Sequence, residues 1–142
     1  MKKLFILFSL TFIFLSCSKD SNNYYNPYLP DVPIQLDINL DWPEYSELRH
    51  PGGVHITHIQ GIRGVILINT GSTYRAYDAA CPNHALRDCS TLEIKKGDIF
   101  AKCVCPDDGA AFNLHLGTSL DSEYQLKTYR VSQSGNRIFI SN

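Results

Sequence analysis

Short apolar segments, each closed by turn residues, constrain this fold more than any other feature of the chain. Residues 34–40 are apolar at every second position, and residues 65–68 form a continuous apolar run. Alternation with period two is typical of a strand with one buried face, and a continuous run is typical of a strand buried on both. Similar segments recur at 54–59, 74–77, 92–94, 99–104, 127–131 and 137–140. Eight or nine short strands predict an all-β domain, a small antiparallel barrel or sandwich.

The N-terminus differs from this pattern. Lys2 and Lys3 precede an apolar run over residues 4–15, and Ser16 and Cys17 follow it. As a helix the run would reach about 18 Å, too little for a hydrocarbon core of about 30 Å. Residues 1–16 are therefore predicted to be a cleaved export signal. Their end resembles the lipobox of bacterial lipoproteins, which implies that Cys17 is lipid-modified; an ordinary secretory peptide is the alternative.

Residues 18–33 are rich in Asn, Ser, Pro and Tyr and have no apolar period. We interpret 17–33 as the lipidated Cys and a flexible tether, and 34–142 as one β domain. The rings of Tyr24, Tyr25 and Tyr28 are expected to pack on that domain rather than bind a partner. The formal net charge of −1, without a basic cluster, argues against a nucleic-acid partner.

Four further cysteines, Cys81, Cys89, Cys103 and Cys105, lie close together in the sequence. In an exported chain such cysteines are expected to form disulfides, and four thiols allow three pairings. Cys103 and Cys105 are two apart on one strand face, about 6.6 Å between Cα atoms, so a bond between them is least favoured. A zinc site built from Cys81, His84, Cys103 and Cys105 is the chemical alternative.

The cysteines stand in the segments CPNHALRDC and CVCPDDGAAFNLHLG. These resemble the Rieske iron–sulfur domain, which has a C-x-H loop, a C-P-x-H-G loop, an F-[DN]-L-x-x-G strand and a later L-x-x-Y-x-V strand. The matching residues are Cys81, Cys105, Pro106, Gly109, Phe112, Asn113, Leu114, Gly117, Leu126, Tyr129 and Val131. The resemblance implies a Rieske-like barrel or sandwich with an inserted two-loop subdomain.

The resemblance also assigns the ligand positions of a [2Fe–2S] cluster. Cys81 and Cys105 match the two thiolates, whereas the histidine positions fall on Asn83, or on His84 if the loop holds an extra residue, and on Asp108. With this set incomplete, and no twin-arginine signal to export a folded holoprotein, we expect no cofactor. The alternative is a [2Fe–2S] electron carrier with altered ligation by Cys81, His84, Cys105 and Asp108.

If the two loops face each other as they do in this family, Cys81 pairs with Cys105, which leaves Cys89 with Cys103. We found no catalytic triad, phosphate loop or nucleotide motif, which favours a protein that is not an enzyme. The sequence therefore predicts a lipid-anchored lipoprotein of the cell envelope, on the periplasmic face of an outer membrane or on the cell surface. Its disulfide-stabilised domain is expected to act as a structural or binding module, with loops 81–89 and 105–109 facing a protein partner. His55 and His58 are expected on opposite strand faces, at the surface or rim.

Overall fold

The computed structural model describes residues 25–142, so the expected signal peptide, Cys17 and Tyr24 lie outside the described residues. Within residues 25–142 the chain forms nine strands and one short 3₁₀ helix, which confirms the all-β prediction. The strands are β1 (Gln35–Asn39), β2 (Val54–Thr57), β3 (Val65–Asn69), β4 (Tyr74–Asp78), β5 (Leu92–Ile94), β6 (Phe100–Cys103), β7 (Ala111–Asn113), β8 (Thr128–Ser134) and β9 (Arg137–Ser141). The 3₁₀ helix spans Pro43–Arg49. Nothing helical in this part of the chain has the length and hydropathy of a membrane-crossing segment.

The strands form two antiparallel sheets. The larger has six strands in the order β1-β9-β8-β4-β3-β2, and the smaller has three in the order β5-β6-β7. Because β4 pairs directly with β8, the three strands between them in sequence leave the larger sheet and form an inserted unit. The two loops that carry the cysteines belong to this inserted unit, as the sequence predicted.

Strand β3 lies between the two halves of the core and is buried on both faces. Val65 and Leu67 pack with β1, β9 and the 3₁₀ helix, whereas Ile66 and Ile68 pack with the inserted sheet. Burying an aliphatic side chain of this size contributes about 1.5–3 kcal/mol. This two-sided burial explains why the segment reads as a continuous apolar run rather than an alternating one.

The segment that precedes β1 lies on the domain surface. The side-chain amide of Asn26 donates to the Pro82 carbonyl at 2.9 Å, and the ring of Tyr28 packs edge-on against Tyr124 with centroids 5.5 Å apart. Tyr28 therefore packs on the domain as expected, whereas Tyr25 is 81% exposed and the packing expected of its ring is wrong. From Asn26 onward, the segment expected to be a flexible tether lies against the domain. Its contact with Pro82 reaches the first cysteine loop.

Candidate functional site

The four cysteines of the domain form two disulfides, Cys81–Cys103 and Cys89–Cys105. Their Cα separations of 5.6 and 5.0 Å fall in the normal range for a disulfide. The prediction of two disulfides is confirmed. The expected pairing of Cys81 with Cys105 and of Cys89 with Cys103 is wrong.

The end of β6 separates the two cysteines that follow one another closely in the chain. Cys103 is the last residue of β6 and Cys105 lies two residues beyond it, although both are buried in the core cluster that contains Cys81. The strand ends at Cys103, and the chain then turns, with the Asp108 N–H donating to the Cys105 carbonyl at 3.0 Å. Cys105 consequently lies beyond the strand, where it meets Cys89.

The two positions at which the resemblance expects imidazoles lie in contact with each other. The side-chain amide of Asn83 donates to the carboxylate of Asp108, at 3.3 Å from each oxygen. The Ala110 N–H donates to Asp108 Oδ1 at 3.0 Å, and the Ser122 hydroxyl donates to Asn83 Oδ1. The polar atoms of this pair therefore have partners from both loops and from the segment after β7.

His84, the other candidate for the first imidazole position, lies beside the same carboxylate. Its Nε2 atom is 3.3 Å from Asp108 Oδ2 and 3.6 Å from Cys103 Sγ. Its Nδ1 atom is 3.0 Å from the Ala85 carbonyl and 3.4 Å from the Ser90 hydroxyl. The loop thus uses both candidate positions, Asn83 and His84, to approach Asp108.

These contacts assemble a group of potential metal ligands. One ligand atom from each of Cys81, His84, Cys103 and Asp108 lies within 4.8 Å of every other. Three of the expected cofactor ligands are therefore brought together, but Cys103 takes the place expected for Cys105. The expected zinc set, which contained both Cys103 and Cys105, likewise shares three residues with this group, and Asp108 replaces Cys105.

An exposed ion pair joins the tips of the two loops. Both terminal nitrogens of Arg87 donate to the carboxylate of Asp107, each at 2.9 Å. The hydrogen bond between the two side chains lowers the pKa of Asp107 and raises the pKa of Arg87. Such an exposed pair contributes little stability, but its two-pronged geometry fixes the relative position of the loops.

A buried carboxylate that the sequence analysis did not single out supports the start of the first loop. Asp78, fully buried at the end of β4, accepts hydrogen bonds from the N–H groups of Ile62, Arg63 and Ala80 and from the hydroxyl of Tyr129. Burial, with this hydrogen bond as a further cause, strongly raises the pKa of Tyr129. A lone Asp at the end of a strand carries no sequence signal for such a role.

His55 and His58 lie apart from this group. His58 is exposed, with Nδ1 3.1 Å from the Arg63 carbonyl, and the His55 ring packs edge-on against Tyr45 at 4.7 Å. Burial is the main cause of a lowered His55 pKa. Both positions fit the expected surface or rim role, but β2 ends at Thr57, so the expectation that both histidines lie on opposite faces of one strand is wrong.

Comparison with known proteins gives a structural match without a sequence match. No family model and no curated protein matches the chain. Among solved structures, a quaternary ammonium Rieske monooxygenase superposes with a TM-score of 0.52 at 18% identity, over 76% of this chain and 30% of that one. The domain has a Rieske-like fold.

Two further structures match this chain over nearly their whole length. The ferredoxin of carbazole 1,9a-dioxygenase from Nocardioides aromaticivorans IC177 is 19% identical, over 78% of this chain and 97% of that one, with a TM-score of 0.46. A putative NADH-dependent nitrite reductase small subunit from Mycobacterium tuberculosis is 19% identical, over 79% and 97%, with a TM-score of 0.46.

The residues of this Rieske-like domain do not fit a Rieske cluster. Such a cluster needs two free thiolates and two imidazoles. Here Cys81 and Cys105 are each bonded to another cysteine, and the histidine positions of a gap-free match carry an amide and a carboxylate that bind each other. The donor set available for iron is therefore different from that of the family.

Proposed function

We propose that the protein is a cell-envelope lipoprotein whose Rieske-like domain functions without an iron–sulfur cluster, as a disulfide-stabilised structural or binding module. The observation that supports this most directly is the contact between Asn83 and Asp108 at the two imidazole positions. An asparagine and an aspartate that form a hydrogen bond with each other are a stable replacement for a pair of metal ligands, because neither polar group is left without a hydrogen-bond partner.

The disulfides support the same conclusion. A cluster held by Cys81 and Cys105 would require both bonds to break, since each of these cysteines belongs to a different disulfide. Each disulfide contributes about 3 kcal/mol to stability in the chain-entropy model, because it closes a loop in the unfolded chain. Cluster assembly would therefore forfeit two cross-links that stabilise the inserted sheet.

The module would bind its partner through loops 81–89 and 105–109. The two disulfides and the pair formed by Arg87 and Asp107 restrict both loops before any partner arrives. Leu86 offers partly exposed apolar surface within the first loop, at 38% exposure. Loops that are already ordered lose less conformational entropy on binding, which favours their use as a recognition surface for a protein partner in the envelope.

The anchor in this proposal is lipid on Cys17, the cysteine that follows the predicted export signal. Two or more acyl chains suffice for stable anchoring, so no membrane-spanning segment is required. We place the domain on the periplasmic face of an outer membrane or on the cell surface, because both locations expose it to an oxidising environment in which disulfides persist.

The absorption and composition of the full chain, purified in detergent without reductant, test this function. We expect a colourless protein without iron or sulfide, and no alkylatable thiol among the four domain cysteines. About two irons and two sulfides per chain, with a Rieske-type electron resonance spectrum, would contradict the proposal. That result would instead support electron transfer through a [2Fe–2S] cluster with altered ligation.

A further inference from the structure

We propose that Cys81, His84, Cys103 and Asp108 form a mononuclear zinc site that becomes available when the Cys81–Cys103 disulfide is reduced. The site goes beyond the binding role proposed above, because it uses the interior of the loops rather than their exposed surface. It also differs from the ligand set expected for the family's cluster, since it uses Cys103 and does not use Cys105.

The distances between the ligand atoms match a zinc tetrahedron. With usual zinc bond lengths, the tetrahedral edges are about 3.4 Å for nitrogen to oxygen, about 3.6 Å for nitrogen to sulfur and about 3.8 Å for sulfur to sulfur. In the structure, His84 Nε2 lies 3.3 Å from Asp108 Oδ2 and 3.6 Å from Cys103 Sγ. Two of the edges are therefore already present. The remaining ligand atoms lie within 4.8 Å of one another, and the two sulfurs must separate once their bond is broken.

The tautomer of His84 also suits a metal ligand. The Ala85 carbonyl, 3.0 Å from Nδ1, can only accept a hydrogen bond, so a metal-bound His84 would keep its proton on Nδ1 and donate it there. Nε2 is then the coordinating nitrogen, and it faces Cys103 and Asp108. An outer N–H bonded to a carbonyl is the usual way in which proteins orient a metal-binding histidine.

Asp108 is oriented by its neighbours in a comparable way. The Ala110 N–H binds its Oδ1 atom, the Asn83 amide contacts both oxygens, and Oδ2 also faces His84 Nε2 at 3.3 Å. Hydrogen bonds of this kind hold a ligating carboxylate in place. The sequence feature that removes an imidazole from the family's cluster thus supplies an oxygen ligand for zinc.

Burial makes a cation favourable at this position. Cys81 is fully buried, Cys103 is 7% exposed, and the Asp108 side chain is 9% exposed. Reduction would place two thiols beside a carboxylate in this poorly solvated pocket, and ionising them without a cation would be costly. Zinc neutralises most of that charge, and the His84 side chain, at 20% exposure, is the ligand most accessible to solvent.

The chemical steps balance with a dithiol as reductant. The dithiol transfers two electrons and two protons to the Cys81–Cys103 bond, which yields two thiols while the dithiol becomes a disulfide. Zinc then binds both sulfurs as thiolates and displaces the two protons to solvent. Reoxidation by a disulfide of the same class reverses the sequence and releases the metal.

Cobalt binding to the full chain in detergent tests the proposal. The chain is reduced with a phosphine, which does not compete as a thiolate ligand, and is titrated anaerobically with Co²⁺. We expect about one cobalt per chain, with the thiolate-to-cobalt charge-transfer band and strong visible bands of a tetrahedral site, and its displacement by Zn²⁺. The oxidised chain should give no such spectrum. Absence of the tetrahedral spectrum from the reduced chain would overturn the inference.

Matched variants separate this ligand set from the alternatives. Loss of a residue that only orients a ligand weakens metal binding by about 10–100-fold. Cys103→Ser and Asp108→Asn, which each remove a ligand, should weaken cobalt binding by more than this. A Cys89→Ser, Cys105→Ser double variant, which removes only the other disulfide, should retain the spectrum. The circular dichroism of each oxidised variant verifies folding. Loss of binding in the double variant with retention in Asp108→Asn would refute the assignment.

The same preparation distinguishes the two proposals. A reduced chain that binds no cobalt, in a protein purified without iron, refutes the zinc site and leaves the proposed function intact. Iron and sulfide in the protein as purified would refute the proposed function whatever the cobalt titration shows.

Discussion

Replacing Asp78 with alanine should destabilise the domain by more than the loss of one hydrogen bond, because several donors lose their acceptor at once. The Asp78 carboxylate accepts four hydrogen bonds, and two of the donors, the Ala80 N–H and the Tyr129 hydroxyl, are themselves buried. Each buried donor left without a partner costs about 1–3 kcal/mol, which gives about 2–6 kcal/mol for Asp78→Ala. The N–H groups of Ile62 and Arg63 lie nearer the surface, where water can replace the carboxylate. Because a domain of this size is stable by about 5–15 kcal/mol in total, the loss is a large fraction of it.

Equilibrium urea unfolding, followed by far-ultraviolet circular dichroism with the disulfides intact, measures this loss. Tyr129→Phe is the matched control, because it removes one donor and leaves the carboxylate; we expect it to cost about 1.5–3 kcal/mol. The double variant should cost less than the sum of the two, since a phenylalanine at position 129 leaves no orphaned hydroxyl. A loss below about 1 kcal/mol in Asp78→Ala, or strict additivity in the cycle, would refute this account of the buried cluster.

The pH dependence of stability provides an independent check on the same cluster. Because burial raises the pKa of Tyr129, the phenol of the unfolded chain ionises first, near its usual value of about 10. The stabilisation is therefore fully present below about pH 10 and decreases as the pH rises further. The decrease should be shallower in Tyr129→Phe, and identical slopes in the two proteins would contradict the assignment.

Three further changes test the disulfides, the ligand positions and the anchor. Cys89→Ala with Cys105→Ala should lower the free energy of unfolding by about 3 kcal/mol, since the bond spans a sequence separation of 16; an unchanged urea midpoint would argue against a stabilising role. Asn83→His with Asp108→His restores a two-cysteine, two-histidine set, so the reduced full chain incubated anaerobically with ferrous iron and sulfide should gain visible absorbance that the natural chain lacks. Equal uptake by the natural chain would contradict this expectation. Cys17→Ala should abolish labelling by fatty acid and move the protein from the detergent phase to the aqueous phase, and a variant that still carries lipid would exclude Cys17 as the anchor.

The fold was predictable wherever a strand buries one face or both along its whole length. The predicted segments 34–40 and 65–68 contain β1 and most of β3. They could be recognised because burial alternates along β1 and is complete along β3. The 3₁₀ helix Pro43–Arg49 buries Tyr45 and Leu48 but is too short to establish a helical period. Strand β7 has three residues, and it forms because β6 provides a partner, so its position depends on tertiary structure rather than on local pattern.

Three of the four residues in each expected ligand set meet in the structure, but the connections between the cysteines were not predicted. The resemblance to the Rieske family correctly implied that the two loops meet, but it implied the wrong cysteine pairing. Predicted over 99–104, the strand ends at Cys103, and Cys105, which is buried in the same core cluster, lies in the segment that follows. The pairing therefore depends on the path of the chain after Cys103, which is set by tertiary structure and not by a local sequence pattern.

The order of the cysteines along the chain has a consequence for biogenesis. The bonds Cys81–Cys103 and Cys89–Cys105 overlap, so neither joins cysteines that are neighbours in sequence. A chain that emerges from a membrane N-terminus first, as in the export route proposed here, presents Cys81 and Cys89 to an oxidase before Cys103 has appeared. A bond formed between these two must later be exchanged, a reaction that takes minutes to hours without catalysis. Maturation of this protein should therefore depend on a disulfide isomerase in its compartment, and cells that lack one should accumulate a protease-sensitive form with a Cys81–Cys89 bond.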